Sequence, residues 1–260
     1  PVIIDNMMNL ELLFKVSSMT ADPTFWNIAV SHADKTLEHH YREDFSTYHV
    51  VDFDPVTGEV RRKCTAQGIA DESRWARGQA WSLYGFTIAY RYTGDEKYLQ
   101  RAEDIADYLL VKEDNMPEDL VPLWDFDVME FAADSTLMES LFGDKDVMTP
   151  YLEVRDASSA AIIASALYEL YGHTGKKLYK AKADKMIESL SSPAYRAETG
   201  THGGFLLLHS TSSVPHSIRA LKYNPNGGNV DIPLNYADYY FLEALVRKSR
   251  IENGKEPINF

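Results

Sequence analysis

Apolar residues recur along much of the chain at the three- and four-residue spacing of a helix that buries one face. Met7, Leu10 and Phe14 set the period at the start, with Met8 and Leu12 beside them. The same pattern predicts helices over 26–40, 73–92, 96–111, 158–171, 176–191 and 233–248, about seven in all. Gly94 and Gly175 stand where left-handed C-caps end helices, and Asp22-Pro23 has the chemistry of a helix start.

Two helical stretches resemble each other. FTIAYRYTGDEKYLQRAEDIADYLL at 86–110 and ASALYELYGHTGKKLYKAKADKMIESL at 164–190 both place a tyrosine shortly before a Thr-Gly pair, at the joint between two helices. Repeated helical hairpins imply a stack or a closed ring of such units. The long irregular stretches 42–70, 113–156 and 193–232 favour a ring whose rim carries function, because long loops in a compact domain usually bind something. VVDFDPVTGEV at 50–60 alternates around a turn and predicts a β-hairpin in the first of them. The fold class expected is all-α, a toroid of helical hairpins with a small β-hairpin on the rim, in one domain over 1–260.

Charge and composition narrow the chemistry. A net charge of −13 over 260 residues opposes nucleic-acid binding, which needs basic surface. The basic runs Arg61-Arg62-Lys63 and Arg247-Lys248-Ser249-Arg250 are read as solvated faces. Cys64 is alone, so no internal disulfide forms. Apolar runs such as 160–167 are far shorter than the roughly 20 residues a bilayer requires, so no membrane partner is expected. No His-Glu-x-x-His, paired cysteines or Gly-rich loop points to a metal or cofactor, and none is expected. The first residues, PVIIDNMMNLELLF, lack an initiator Met and start inside an apolar run. They read as the later part of a longer polypeptide, which leaves localisation open between cytoplasm and periplasm.

The stretch DESRWARGQAWSLYG at 71–85 is unusual for a helix that only buries a face. With Ser73 as N-cap, Arg77 falls about one turn inside the helix, and Arg77, Trp81 and Tyr84 follow at i, i+4 and i+7. Helical side chains lean toward the N-terminus, so Arg77 would face unpaired N–H groups, a combination that attracts an anion. Trp81 adds a flat apolar face, and Gly78 permits close approach. An acidic sugar ring would suit such a site. The plain alternative is a buried arginine paired with an acid while the tryptophans fill the core.

The run Trp-x-Arg-Gly-Gln-Ala-Trp at 75–81 resembles the motif of unsaturated glucuronyl hydrolases, glycoside hydrolase family 88. The resemblance extends through IIDNMMNLELLF, YHVVDFDPVTG, AQGIADESRWARGQAWSLYG and DIPLNYADYYFLEAL in family order. Related unsaturated rhamnogalacturonyl hydrolases usually carry Arg-Gly-Asn where this chain has Arg77-Gly78-Gln79. The resemblance implies an (α/α)6 barrel with its N-terminal helices missing from this chain, a second important aspartate upstream of Pro1, and a partner that is an acidic unsaturated oligosaccharide. It implies removal of a 4,5-unsaturated uronic acid from the non-reducing end by hydration of the vinyl ether. Asp5 maps onto the catalytic acid/base, and His49, Gln67, Arg77 and Trp81 map onto substrate contacts.

The residues around Asp5 are consistent with that role. Val2-Ile3-Ile4 and Met7-Met8 disfavour its charged form, and Asn9, one turn on, could orient it. The plain alternative is a helix N-cap. Two further functional alternatives remain: a two-carboxylate glycosidase pairing Asp5 with Asp71, Asp125 or Asp156, and a non-catalytic sugar-binding toroid. The segments 128–150 and 211–228 read as longer than the family's own. Finally, 199–230 contains no Asp or Glu but carries Arg219 and Lys222 among several serines, and Pro225, Gly227 and Gly228 suggest a mobile rim loop. Arg219 and Lys222 are expected to read acidic groups on the second sugar.

Overall fold

The computed structural model describes residues 1–111, 116–223 and 228–258. Ten α-helices and three short strands lie among the described residues. The first helical hairpin is α1 (Asn6–Thr20) with α2 (Pro23–His39), the second α3 (Ala76–Thr93) with α4 (Glu96–Val111). After two short helices, α5 (Val128–Ala132) and α6 (Ser135–Phe142), come α7 (Ala157–Thr174) with α8 (Lys177–Ser191). The chain ends with α9 (Val214–Leu221) and α10 (Asn235–Glu252).

Burial separates two classes of helix. α3 is buried on all sides from Ala76 to Ala89, and α7 from Ala157 to Leu170, so neither has a solvent face. α4 and α8 are one-sided, burying Tyr98, Ala102, Ile105 and Leu109 in one and Tyr179, Ala183, Met186 and Leu190 in the other. α1 packs on α2 and α3, α3 on α4 and α7, and α7 on α8 and α10. The result is an arc in which α1, α3, α7 and α10 form an inner layer and α2, α4 and α8 an outer one. The inner helices run parallel, because side chains at their starts meet one another and side chains near their ends do likewise. Gly85 lets α1 and α3 touch: a Cβ there would lie 2.3 Å from the Met7 Cβ.

The helix ends follow the local chemistry. Gly94 and Gly175 adopt left-handed C-caps and return their N–H groups to Tyr90 and Tyr171, the shared tyrosines of the two similar hairpins. Asp22 caps α2 by accepting from the Thr24 N–H at 2.9 Å, with Pro23 in the first turn. Ser73, expected to cap α3, does not: Trp75 occupies the cap position, and the Ser73 hydroxyl donates to Asp125 at 2.6 Å.

The expected hairpin forms as β2 (Val50–Phe53) and β3 (Val60–Cys64), antiparallel, with an irregularity between Asp52 and Phe53. A third strand, β1 (Val2–Ile3), pairs with β2 in the register Val2↔Val51 and Ile3↔Val50. A two-residue strand has no periodicity to read, so 2–3 passed as part of the helical run. The described parts of the loops 113–156 and 193–232 hold more helix than their sequence suggested. α5, α6 and α9 share a second core of Trp75, Trp124, Met138, Phe142, Val214 and Ile218. The expected mobile loop at 199–230 therefore contains a packed helix, while Pro225 and Gly227 lie outside the described residues. Arg247 is buried, so the basic run on α10 is not a solvated face; Arg61 and Arg62 are exposed.

Candidate active site

The β1–β2 pairing brings Asp5 and His49 together. The Ile4 N–H donates to the His49 carbonyl at 2.9 Å, which extends the ladder by one residue and sets the two side chains side by side. Asp5 occupies the N-cap position of α1, with φ −54° and ψ −32°, but its carboxylate makes no capping bond. Its side chain is 21 % exposed, whereas that of His49 is 2 % exposed, and their closest atoms, Asp5 Oδ2 and His49 Nε2, lie 3.6 Å apart. That is beyond hydrogen-bond length. Both atoms are buried and lack a hydrogen-bond partner among the described residues.

The protonation of both groups follows from their partners. His49 Nδ1 accepts from the Ala66 N–H at 3.1 Å, and a backbone N–H can only donate. The proton of the neutral ring therefore sits on Nε2, toward Asp5. Burial, then the charges of Arg77 and His40, push the His49 pKa down to about 3, so the ring stays neutral. Burial likewise raises the Asp5 pKa; the Arg77 charge, its own backbone and the Trp81 side chain act in the opposite direction without overcoming it. Asn9, considered as an orienting group, is exposed.

Arg77 is a buried arginine paired with a buried acid. Its Nη1 donates to Asp156 Oδ2 at 2.7 Å and to the Thr211 carbonyl at 2.5 Å. Its Nη2 donates to Gln67 Oε1 at 2.9 Å and to the Ser212 carbonyl at 2.5 Å. These bonds occupy the terminal donors and leave Nε without a partner among the described residues. The guanidinium also lies 4.7 Å from the Trp75 ring, which packs on His49 with a centroid separation of 4.4 Å. Gly78 accommodates the same tryptophan: a Cβ there would lie 3.0 Å from its ring.

Trp81 is 4 % exposed and sits among tyrosines, edge-on to Tyr240 at 5.2 Å and tilted to Tyr236 at 6.4 Å. These two tyrosines were missed in the sequence, where they read as apolar positions of the last helix. Gln67 is half-buried and is held by Arg77. Arg219 and Lys222 are exposed at the end of α9, where Lys222 Nζ donates to the Phe142 carbonyl at 3.2 Å. No contact links them to the Asp5 group among the described residues.

The acids weighed as second carboxylates are differently placed. Asp156 is fully buried and caps α7, accepting from the Ser158 N–H, the Ser158 and Ser159 hydroxyls and the Thr211 N–H besides Arg77. Asp125 is also fully buried and accepts from Ser73, Ile69 and Asp127, with burial pushing its pKa up to about 6. Asp71 is exposed and holds the Thr65 N–H. Both buried acids are occupied in holding backbone. No group of three or more metal-ligating side chains occurs among the described residues, nor a helix long and apolar enough to cross a membrane.

No protein-family model matches the chain. It is 43% identical over 251 residues, 96% of its length, to an unsaturated glucuronyl hydrolase of Formosa agariphila. It is 33% identical over 251 residues to an unsaturated chondroitin disaccharide hydrolase of Streptococcus pyogenes serotype M1. The chain spans 55% of the length of each of these curated relatives. Among solved structures, it is similar to an unsaturated glucuronyl hydrolase specific for heparin, with a TM-score of 0.81 and 41% identity. That match covers 97% of this chain and 60% of the solved one. The structures it resembles are (α/α)6 barrels, to which the arc of inner and outer helices corresponds.

Proposed function

From a chain homologous over nearly its whole length to unsaturated glucuronyl hydrolases, we propose that Asp5 is the general acid of a hydrolase. The enzyme removes a 4,5-unsaturated uronic acid from the non-reducing end of an oligosaccharide. In this reading the Asp5 carboxyl protonates C4 of the vinyl ether and water adds at C5. The Asp5 carboxylate takes back a proton from that water, and the resulting hemiketal opens with loss of the glycosidic bond. The observation that carries the reading is the Asp5 carboxyl itself: its pKa raised by burial, with Oδ2 facing a neutral His49 and bonded to nothing among the described residues. A proton donor to carbon needs such a raised pKa near neutral pH.

The other residues take roles set by their surroundings. His49 offers Nε2–H to the ring or to the attacking water. Gln67 and Arg77 hold polar substituents and the carboxylate, Arg77 acting through its charge and through Nε. Trp81 packs against the ring from within its tyrosine cluster. Arg219 and Lys222, exposed on α9, read acidic groups on the second sugar. Reversing both (Arg219→Glu with Lys222→Glu) is expected to weaken turnover of sulfated disaccharides more than unsulfated ones, with a larger gap at low salt. An equal effect on both substrates would remove them from recognition.

The reading is tested by mixing the intact protein with unsaturated disaccharides and following the ultraviolet absorbance of the conjugated double bond. Loss of absorbance together with release of the second sugar is expected. Binding without loss would mark a sugar-binding toroid, and release from saturated glycosides a two-carboxylate glycosidase. Asp125 and Asp156 are poor second carboxylates for the latter, since each is buried and committed to hydrogen bonds.

A further inference from the structure

Asp156 joins the Asp5 group to two other parts of the fold. It caps α7 through the Ser158 N–H, receives the Thr211 N–H, and pairs with Arg77 of α3. The Thr211 and Ser212 carbonyls, in the segment that precedes α9, each receive an Arg77 Nη hydrogen, and Gln67 Oε1 receives another. Arg77, its guanidinium thus fixed, is the principal opposing charge felt by Asp5. Tyr236, on α10, feels Arg77, Asp156 and Asp5 together.

We propose that Asp156 is a positioning residue for the proton donor. It locks the Arg77 guanidinium against the start of α7 and the segment that precedes α9, and it balances the positive charge that Arg77 projects onto Asp5. This rests on the reading of Asp5 as general acid for its functional meaning, but not for its electrostatics. An unbalanced Arg77 would favour the Asp5 carboxylate and so deplete the acid form that delivers a proton to carbon. Four charged or titratable groups surround Asp5 from the elements packed around it: Arg77 from α3, His49 from the segment leading into β2, Tyr236 from α10 and, behind Arg77, Asp156 from the start of α7. Of these Asp156 is the carboxylate that pairs with Arg77, at 2.7 Å. A residue that merely capped α7 would leave the Asp5 titration alone.

The test is Asp156→Asn in the intact protein, with the Asp5 carboxyl followed by carbon NMR and identified as the signal lost in Asp5→Asn. The asparagine keeps the shape and an acceptor for the α7 cap but removes the charge. The Asp5 midpoint is expected to fall by about half a unit or more, and the alkaline limb of kcat/KM to move down in pH with it. An unchanged or higher midpoint in folded protein overturns the proposal. If the parent protein leaves the absorbance of unsaturated disaccharides untouched, the functional reading fails while the titration still decides this one. Should Asp156→Asn not fold, Asp156→Glu keeps the charge and displaces the guanidinium. The Arg77 Nη protons are then expected to exchange with solvent at least about tenfold faster than in the parent. Unchanged exchange overturns the proposal.

Discussion

Toward the C-terminal end of the inner helices, Glu169 of α7 lies between Arg91 of α3, at 2.7 Å, and Arg247 of α10, at 3.0 Å. Arg91 reaches on to Glu11 of α1, and Arg247 to Glu243 of α10. At the N-terminal end, Asp5 of α1 faces His49 without a hydrogen bond, and the nearby Arg77 is committed to Asp156. Both sets bury charge between the same four helices, but one is saturated and the other is not. Arg247, the His173 side chain and Arg91 together outweigh burial and hold the Glu169 pKa at about 2, whereas burial wins at Asp5 and raises its pKa. A fully paired network ties helices together, while a carboxyl with one oxygen left unpartnered suits the proton-donor role proposed for Asp5.

The sharpest way to break the comparison is at the saturated end. Glu169→Ala leaves two buried arginines short of a partner and is expected to cost about 3–5 kcal/mol of stability, measured by denaturant unfolding. A loss near zero would mean that Glu11 and Glu243 suffice. At the poised end, Arg77→Ala is expected to weaken binding of a uronate-ended ligand by about 1.5–3 kcal/mol. Calorimetry on folded protein checks it, and the four other donors to Asp156 should preserve the α7 cap.

The pH dependence sharpens it further. His49 and His40 have folded pKa values depressed to about 3 and about 4, so the unfolded chain binds more protons below about 6.5 and stability falls as acid is added. Glu169 adds to the fall below about 4.5, its contribution being lost as pH drops through its folded value of about 2. Asp125 opposes this: raised to about 6, it stabilises at low pH and loses that contribution as pH rises from about 3.8 toward about 6. His49→Gln should therefore remove about 1.4 kcal/mol per pH unit from the decline between about pH 6 and 4. An unaltered slope would show that His49 is not held neutral by the fold.

The helical hairpins were legible because their signals are local. Gly94, Gly175 and Asp22-Pro23 mark ends, and one-sided burial marks α4 and α8. α5, α6 and α9 were not legible, since helices of five to eight residues persist through a shared core assembled from distant segments. The site divides the same way. The motif at 75–81 exposed Arg77 and Trp81, and the resemblance supplied Asp5 and His49. The partner of Arg77 lies 79 residues away, so no spacing reveals it. The one local hint was Asp156 two residues before Ser158, a capping pattern that would have marked Asp156 as structural. Arg247 misled for the complementary reason: besides Glu243 one turn earlier, it pairs with the buried Glu169 on another helix, which no local pattern shows.

We propose Asp5 as a carboxyl whose Oδ2 is left without a hydrogen bond among the described residues, so that it can deliver a proton. Asp5→Asn in the intact protein, assayed by loss of the double-bond absorbance, tests it most directly. Because Asp5 has its pKa raised on folding, its ionisation opposes the fold above about 3.8, and the neutral asparagine should not lower Tm at pH 7. The kcat is expected to be at least about 10²-fold lower, with substrate affinity within a few-fold of the parent. Near-parent turnover by a folded Asp5→Asn protein would contradict it.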